Sequence, residues 1–308
     1  MPASAAPLDD AEGLARRLAK AGYLADPRTA LAAWLAVKLH RPLLLEGPAG
    51  VGKTDLARAL AEALGRKLVR LQCYEGLDEG KALYEWDYAK QMLYTQLLRD
   101  SVAKETAGAS SLKEATERLA SADLAFFGPR FLLERPLLQA LTSDEPVVLL
   151  IDEVDRSDPE FEAFLLEILA EEQVTIPELG TIKARHSPTV ILTSNASRDM
   201  TDALRRRCLH AFLEYPPPSR ELAILELRVP GIASALAAQL AEMAKRIRAM
   251  DLRKHPSISE TLDWARALLT LGASALDADT VRATLGVIVK YEEDRAKVDA
   301  KVETLLKP

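Results

Sequence analysis

The segment Gly47-Pro48-Ala49-Gly50-Val51-Gly52-Lys53-Thr54 constrains this chain more than any other part of it. A short apolar run, Pro42 to Leu45, precedes it, and a helical pattern from Asp55 to Leu64 follows. That order of strand, glycine-rich loop and helix has a physical use. Glycines let successive backbone N–H groups curl around phosphate oxygens, and the helix N-terminus adds a favourable partial charge. Lys53 then reaches the β- and γ-phosphates, and the Thr54 hydroxyl suits Mg²⁺. The candidate nucleotide-binding set is Gly47, Pro48, Ala49, Gly50, Val51, Gly52, Lys53, Thr54 and Asp55.

Further apolar runs fit the same architecture. Val147 to Ile151 is apolar without alternation, as expected of a strand covered on both faces of a parallel sheet. Leu68–Leu71 is a further strand candidate and Thr189–Thr193 and Leu209–Leu213 are weaker ones, with helical patterns between them. The fold expected is α/β, a doubly wound parallel sheet with a C-terminal all-helical lid. Tyr215-Pro216-Pro217-Pro218-Ser219 marks the boundary, because consecutive prolines continue neither a central strand nor a helix interior. The expected division is a flexible stretch 1–12, a nucleotide-binding domain 13–215 and a helical domain 219–308. Ser157-Asp158-Pro159-Glu160 reads as a capping box opening a helix whose buried face is Phe161, Phe164, Leu165, Ile168 and Leu169. Val174–Ile176 and Thr181–Ile182, around Pro177-Glu178-Leu179-Gly180, read as a β-hairpin. The stretch from Ala107 to Ala122 reads as a solvated insertion with no chemistry.

Three further strings carry chemistry. In Val147 to Ser157, Asp152 and Glu153 emerge at a strand end, where ligands of open α/β sheets bind. Asp152 suits Mg²⁺ through water, and Glu153 suits orienting and deprotonating an attacking water. Asp155 reads as a solvated or interface charge. Asn195 lies just past a strand end, where a neutral amide can hold the lytic water near the γ-phosphate. Asp202-Ala203-Leu204-Arg205-Arg206-Arg207 places three arginines before a strand; the chemical reading is an arginine finger, Arg207 first and Arg206 second, and the alternative is a solvated basic edge.

This order of phosphate loop, Asp-Glu strand, Asn strand, arginines and helical lid resembles the AAA+ ATPases. The hairpin before the Asn strand is similar to that of the MoxR group. Leu71 to Gln91, Val174 to Ile182, Ala203 to Cys208 and Glu260 to Leu268 resemble the branch associated with carbon monoxide dehydrogenase accessory proteins. The resemblance implies ATP and Mg²⁺, a ring that is usually a hexamer, and nucleotide held between subunits. It also implies a von Willebrand factor A (VWA) domain partner and a metalloenzyme client. Carried over by position, Lys53 and Thr54 serve phosphate and Mg²⁺, Asp152 and Glu153 metal and water, Asn195 the first sensor and Arg207 the finger. The chain departs from the group at the lid: Ser259 stands where many relatives carry an arginine in a Ser-Pro-Arg string, so either Arg266, Arg253 or Lys254 substitutes or lid closure senses nucleotide less directly, and no second sensor is assigned.

Charge and composition narrow the alternatives. Forty Lys and Arg against 46 Asp and Glu give −6, which counts against a nucleic-acid motor. No apolar run reaches the roughly 20 residues that span a bilayer, and two distant cysteines suit a reduced compartment. The expected location is cytoplasmic. A nucleotide-gated scaffold with slow hydrolysis is the remaining alternative. For the aromatics between Tyr74 and Tyr94, and for the hairpin, core packing competes with a pore- or partner-facing role.

Overall fold

The computed structural model describes residues 9–97, 106–115, 128–177 and 179–307. Its strands are β1 (Leu43–Glu46), β2 (Lys67–Gln72), β3 (Tyr84–Trp86), β4 (Leu132–Glu134), β5 (Val147–Asp152), β6 (Gln173–Ile176), β7 (Gly180–Lys183), β8 (Thr189–Ser194) and β9 (Leu209–Phe212). The five apolar runs form one parallel sheet in the order β2-β5-β8-β1-β9. Every residue of β1, β5 and β8 is buried, which is why these runs lack alternation. The edge strands β2 and β9 do alternate in exposure.

Successive residues of a strand face opposite sides, and the two cores follow that rule. Leu43 and Leu45 join Val148, Leu150 and Ile191 beneath the N-terminal helices Ala11–Lys20 and Pro27–Leu39 and the helix Lys53–Leu64. The same cluster runs on into the C-terminal helices through Leu240, Trp264 and Val302. Leu44 faces the other way, with Leu149, Ile151 and Leu192 packed on Leu137, Phe161 and Leu165.

Register places the carboxyl ends of the strands in one row. Gln72 pairs with Asp152, and Glu46 pairs with Ser194 and Phe212. The chemistry therefore collects along one edge of the sheet, on the side where ligands of open α/β sheets bind.

Beyond Pro217 the described chain is helical: Pro218–Arg228, Ser234–Arg248, Ile258–Thr270, Ala278–Ile288, Glu292–Asp299 and Val302–Leu305. Pro218 occupies the first turn of its helix, where its missing N–H costs nothing. Inside, Arg248 forms a nearly buried ion pair with Glu221, Nη2 to Oε1 at 2.8 Å, and its guanidinium lies 4.7 Å from the Tyr215 ring centre. Trp264 is fully buried and spends its indole N–H on Thr284 Oγ1 at 2.7 Å.

Several local expectations change. The helix Pro159–Glu171 is capped by Asp158, whose Oδ1 accepts from the Phe161 N–H at 2.9 Å. Ser157 does not form the capping box: its hydroxyl donates to the Val154 carbonyl at 2.8 Å, and Pro159 at the first turn makes the preceding residue the cap. The capping box sits instead at Ser257 and Glu260, at the start of Ile258–Thr270. The hairpin is present as β6 and β7, with Val174 opposite Ile182; its turn residue Glu178 lies outside the described residues. So do residues 1–8 of the N-terminal stretch and 116–122 of the insertion.

The aromatics between Tyr74 and Tyr94 split. Trp86 is buried and meets Tyr84 edge-on at 5.9 Å, Tyr94 meets Phe131 at 5.2 Å, and Tyr88 is exposed. Cys73 and Cys208 are free and buried, and burial pushes both thiols up to about 12, so they stay protonated.

Candidate nucleotide site

The loop between β1 and the helix Lys53–Leu64 needs glycine at two close approaches. At Gly47 (φ +147°) an added Cβ would lie 2.2 Å from the Leu213 carbonyl oxygen. At Gly50 (φ +73°) it would lie 2.3 Å from the Ser257 Cβ, so the loop rests against the first residue of the lid's capping box. The helix behind is capped by Gly52 with no side-chain acceptor, leaving its first-turn N–H groups for an anion.

Lys53 is 6% exposed, and its ammonium donates to the Gly47 carbonyl at 2.6 Å, the Pro48 carbonyl at 2.8 Å and Asn195 Oδ1 at 2.9 Å. Burial lowers its pKa from the ordinary lysine value, while Asp155, Asp152 and Glu153 oppose that shift. Thr54 Oγ1 donates to Asp152 at 3.1 Å, and Thr193 Oγ1 donates to the same carboxylate at 2.5 Å. The third partner of Asp152 is Arg70, whose Nη2 lies 2.6 Å from Oδ2.

Glu153 occupies the left-handed region at φ +56°, a conformation that costs a non-glycine residue about 1–3 kcal/mol. Its N–H donates to Thr193 Oγ1 at 2.9 Å. Its carboxylate accepts from Gln72 Nε2 at 3.1 Å and Asn195 Nδ2 at 3.4 Å, and pairs with Arg156 at 3.1 Å. One amide, Asn195, thus touches both Lys53 and Glu153.

Asp155 is the correction here. It is 3% exposed, so it is neither a solvated nor an interface charge. Oδ1 accepts from the Asn195 N–H at 3.2 Å, and Oδ2 accepts from the Ser197 N–H and hydroxyl at 3.0 and 2.6 Å. Burial alone would raise its pKa, but these donors outweigh it and hold the carboxyl below the usual range. Asp155 shapes the turn that presents Asn195.

Beside the loop lies a cavity of about 460 Å³, walled by Tyr23, Gly52, Leu213, Ile258 and Leu262 with Arg220 and Arg228 at its rim. Asp55 also lines it and lies 3.6 Å from Arg228.

The donor set fits Mg²⁺. Thr54 and Asp152 offer hard oxygen ligands, and Mg²⁺ is commonly held by one or two carboxylates together with substrate phosphates. Substrate phosphates and waters would complete the coordination of such an ion.

Residues 42–208 match the AAA domain family, dynein-related subfamily. The chain belongs to that family. It is therefore an AAA+ chain, of a family of nucleotide-binding ATPases. Over 288 residues it is 25% identical to the gas vesicle ATPase GvpN of Ancylobacter aquaticus, covering 85% of this chain and 74% of that one. Over 185 residues it is 29% identical to the chaperone protein ClpB 2 of Thermosynechococcus vestitus, covering 57% of this chain but only 17% of that protein. Among solved structures, the RuvB Holliday junction branch migration motor of Thermotoga maritima is 18% identical, covers 95% of this chain and 76% of that one, and has a TM-score of 0.46.

The arginines of this AAA+ chain do not behave alike. They end the helix Asp202–Arg207. Arg205 Nη2 donates to Glu46 Oε1 at 3.0 Å. The side chains of Arg206 and Arg207 are exposed and have no hydrogen-bond or ion-pair partner among the described residues, while their carbonyls accept from Arg41 Nη2 at 3.0 Å each.

The proposed lid substitutes are engaged elsewhere. Arg253 stacks on Tyr291 at 4.3 Å, Lys254 bonds Glu260 at 2.9 Å, and Arg266 bonds Asp263 at 2.9 Å. Ser259 does line the cavity. The lid cations at its rim are Arg220 and Arg228, which also donate to the Leu24 and Gly22 carbonyls at 2.7 and 3.2 Å. Sequence reading missed Arg70, Gln72, Thr193, Glu46 and Arg205. Gln72 carried a signal, as the polar residue that directly follows the Leu68–Leu71 strand candidate.

Proposed function

We propose that this chain hydrolyses ATP with Mg²⁺ as a ring-forming AAA+ remodelling factor. The observation that carries the reading is the Asn195 amide joining Lys53 to Glu153, with Thr54 on Asp152 alongside. In this reading the loop N–H groups and Lys53 hold the β- and γ-phosphates. Thr54 and Asp152 hold Mg²⁺, which supplies charge neutralisation at the phosphate oxygens. Glu153 orients water and accepts its proton, and Asn195 keeps that water and the γ-phosphate in register. Arg207, with Arg206 second, supports charge on the transferring phosphoryl group of an adjoining subunit. Heterologous contacts that close into a ring, usually of six in such proteins, would bring it there.

The finer reading rests on the MoxR-like strings, Leu71 to Gln91 above all. It assigns a VWA-domain partner and a metalloenzyme client, such as a molybdenum hydroxylase of the carbon monoxide dehydrogenase type, in the cytoplasm. The relatives' printed activities, an ATPase of gas vesicles and a chaperone, support ATP-driven remodelling in general. The domain division 13–215 and 219–308 belongs to the same reading.

A second reading, a nucleotide-gated scaffold with slow hydrolysis, draws on the three donors that share the Glu153 carboxylate. Phosphate release with Mg²⁺, with chelator and with a purified VWA-domain protein separates them. Remodelling predicts Mg²⁺-dependent turnover that the partner accelerates. Scaffolding predicts nucleotide-dependent binding of the partner with turnover unchanged. Release that ignores both Mg²⁺ and Lys53→Ala would contradict the site itself.

A further inference from the structure

Glu46 ends β1 directly before the phosphate loop and is 5% exposed. A carboxylate buried that far requires partners. Each oxygen has one: Oε1 accepts from Arg205 Nη2 at 3.0 Å, and Oε2 lies 2.5 Å from His210 Nε2. Arg205 is on the helix that carries Arg206 and Arg207, and His210 is on β9 just after it. From just before β1, Arg41 grips the same helix by the carbonyls of Arg206 and Arg207, at 3.0 Å each. The segment that leads into the phosphate loop thus holds the arginine helix at two points. The two guanidinium groups left over, those of Arg206 and Arg207, have no partner among the described residues.

We propose that Glu46 is a positioning residue. Through Arg205 and His210 it fixes the direction in which Arg206 and Arg207 face an adjoining subunit, and it ties that direction to the state of the phosphate loop in its own subunit. The inference rests on the reading that Arg207 acts across a subunit boundary. A purely structural role, in which Glu46 only satisfies β9, makes a different prediction. So does a direct role on its own loop.

The test uses the full chain with Glu46→Gln and, separately, Arg205→Ala. Arg205 is 40% exposed at its side chain, so its loss leaves the core intact and carries the test should Glu46→Gln fail to fold. Each variant is assayed for binding of a fluorescent ATP analogue and for phosphate release. Release is measured alone and after mixing with Glu153→Gln subunits, which keep Glu46 and all three arginines. Loss of a charge-assisted bond should cut turnover about tenfold while analogue affinity stays within about twofold. Mixing should restore turnover several-fold, because a subunit with an intact site then sits beside a neighbour whose arginines are correctly set.

Unchanged turnover, weakened analogue binding or no gain on mixing would each overturn the proposal. Arg207→Ala in the same mixture keeps the two claims apart. If Arg207→Ala is rescued and Glu46→Gln and Arg205→Ala are not, only the positioning role fails. If Arg207→Ala is not rescued, the trans-acting arginine itself fails, and the proposal with it.

Discussion

The polar groups at the end of β5 and the arginines at the end of Asp202–Arg207 are built on opposite plans. At β5, Asn195 ties Lys53, Glu153 and Asp155 together, and Thr193 joins Glu153 to Asp152, all within a single chain. At the arginine helix, Arg205 is tied inward, and Arg206 and Arg207 project without side-chain partners among the described residues. An interlocked set has its geometry fixed before substrate arrives, which is what a site of electrostatic stabilisation needs. The pair of exposed guanidiniums has its backbone carbonyls held by Arg41, and its side chains meet no partner among the described residues. The difference is what the proposed function requires of a chain that would hold the phosphates itself and offer its arginines to a neighbour.

The largest expected effect is on turnover when the outward half is removed. Arg207→Ala should lower phosphate release by about 10³-fold, with ATP binding retained, if it acts as an arginine finger. Glu153→Gln, inside the interlocked set, should lower release by about 10²–10³-fold, also with binding retained. Both losses are read as initial rates at saturating ATP.

Stability should separate the same two regions. Arg248, paired with Glu221 inside the lid, is the buried counterpart of the exposed arginines. Arg248→Leu leaves the Glu221 charge unpaired and should cost about 3 kcal/mol in chemical denaturation. Arg206→Ala and Arg207→Ala should each change stability by less than about 0.5 kcal/mol. Equal effects at the three positions would break the comparison.

A smaller expected effect than the loss of Arg248 is a dependence on pH. Asp155 binds its proton less tightly in the folded chain than an ordinary carboxyl does. Its contribution is therefore complete above the usual carboxylate range, about pH 4, and is lost as pH falls through the depressed folded value. Asp155→Asn should lose about 1 kcal/mol near neutrality and flatten the acid limb of the stability curve. Denaturant titrations of both proteins between neutral and acid pH check this.

Much of the inner half was legible because its residues come in contiguous strings. The phosphate loop is one octapeptide, and Asp152 and Glu153 end an apolar run whose lack of alternation signals a buried strand. What remained hidden lies in pairings across long sequence separations. Arg70 meets Asp152 from 82 residues away, and Arg205 meets Glu46 from 159. No local pattern marks such contacts, so Asp155 read as a solvated charge although it is buried beneath the Asn195 turn. The capping box failed for a different reason. Ser157 and Asp158 are both good caps, and Pro159 decided between them.

The lid shows the same limit. Matching Ser259 to a missing arginine pointed to Arg253, Lys254 and Arg266, all of which are engaged elsewhere. The lid cations that line the cavity come from an earlier helix, where no string singled out Arg220 or Arg228.

The central claim is that one chain supplies only half of a working site. The direct test is ATP turnover per subunit across a dilution series of wild type and Arg207→Ala. Specific activity should climb with wild-type concentration and stay low at every concentration of the variant, with nucleotide binding intact in both. Activity that is independent of concentration and unchanged by Arg207→Ala would contradict a shared site and leave the chain a monomeric switch.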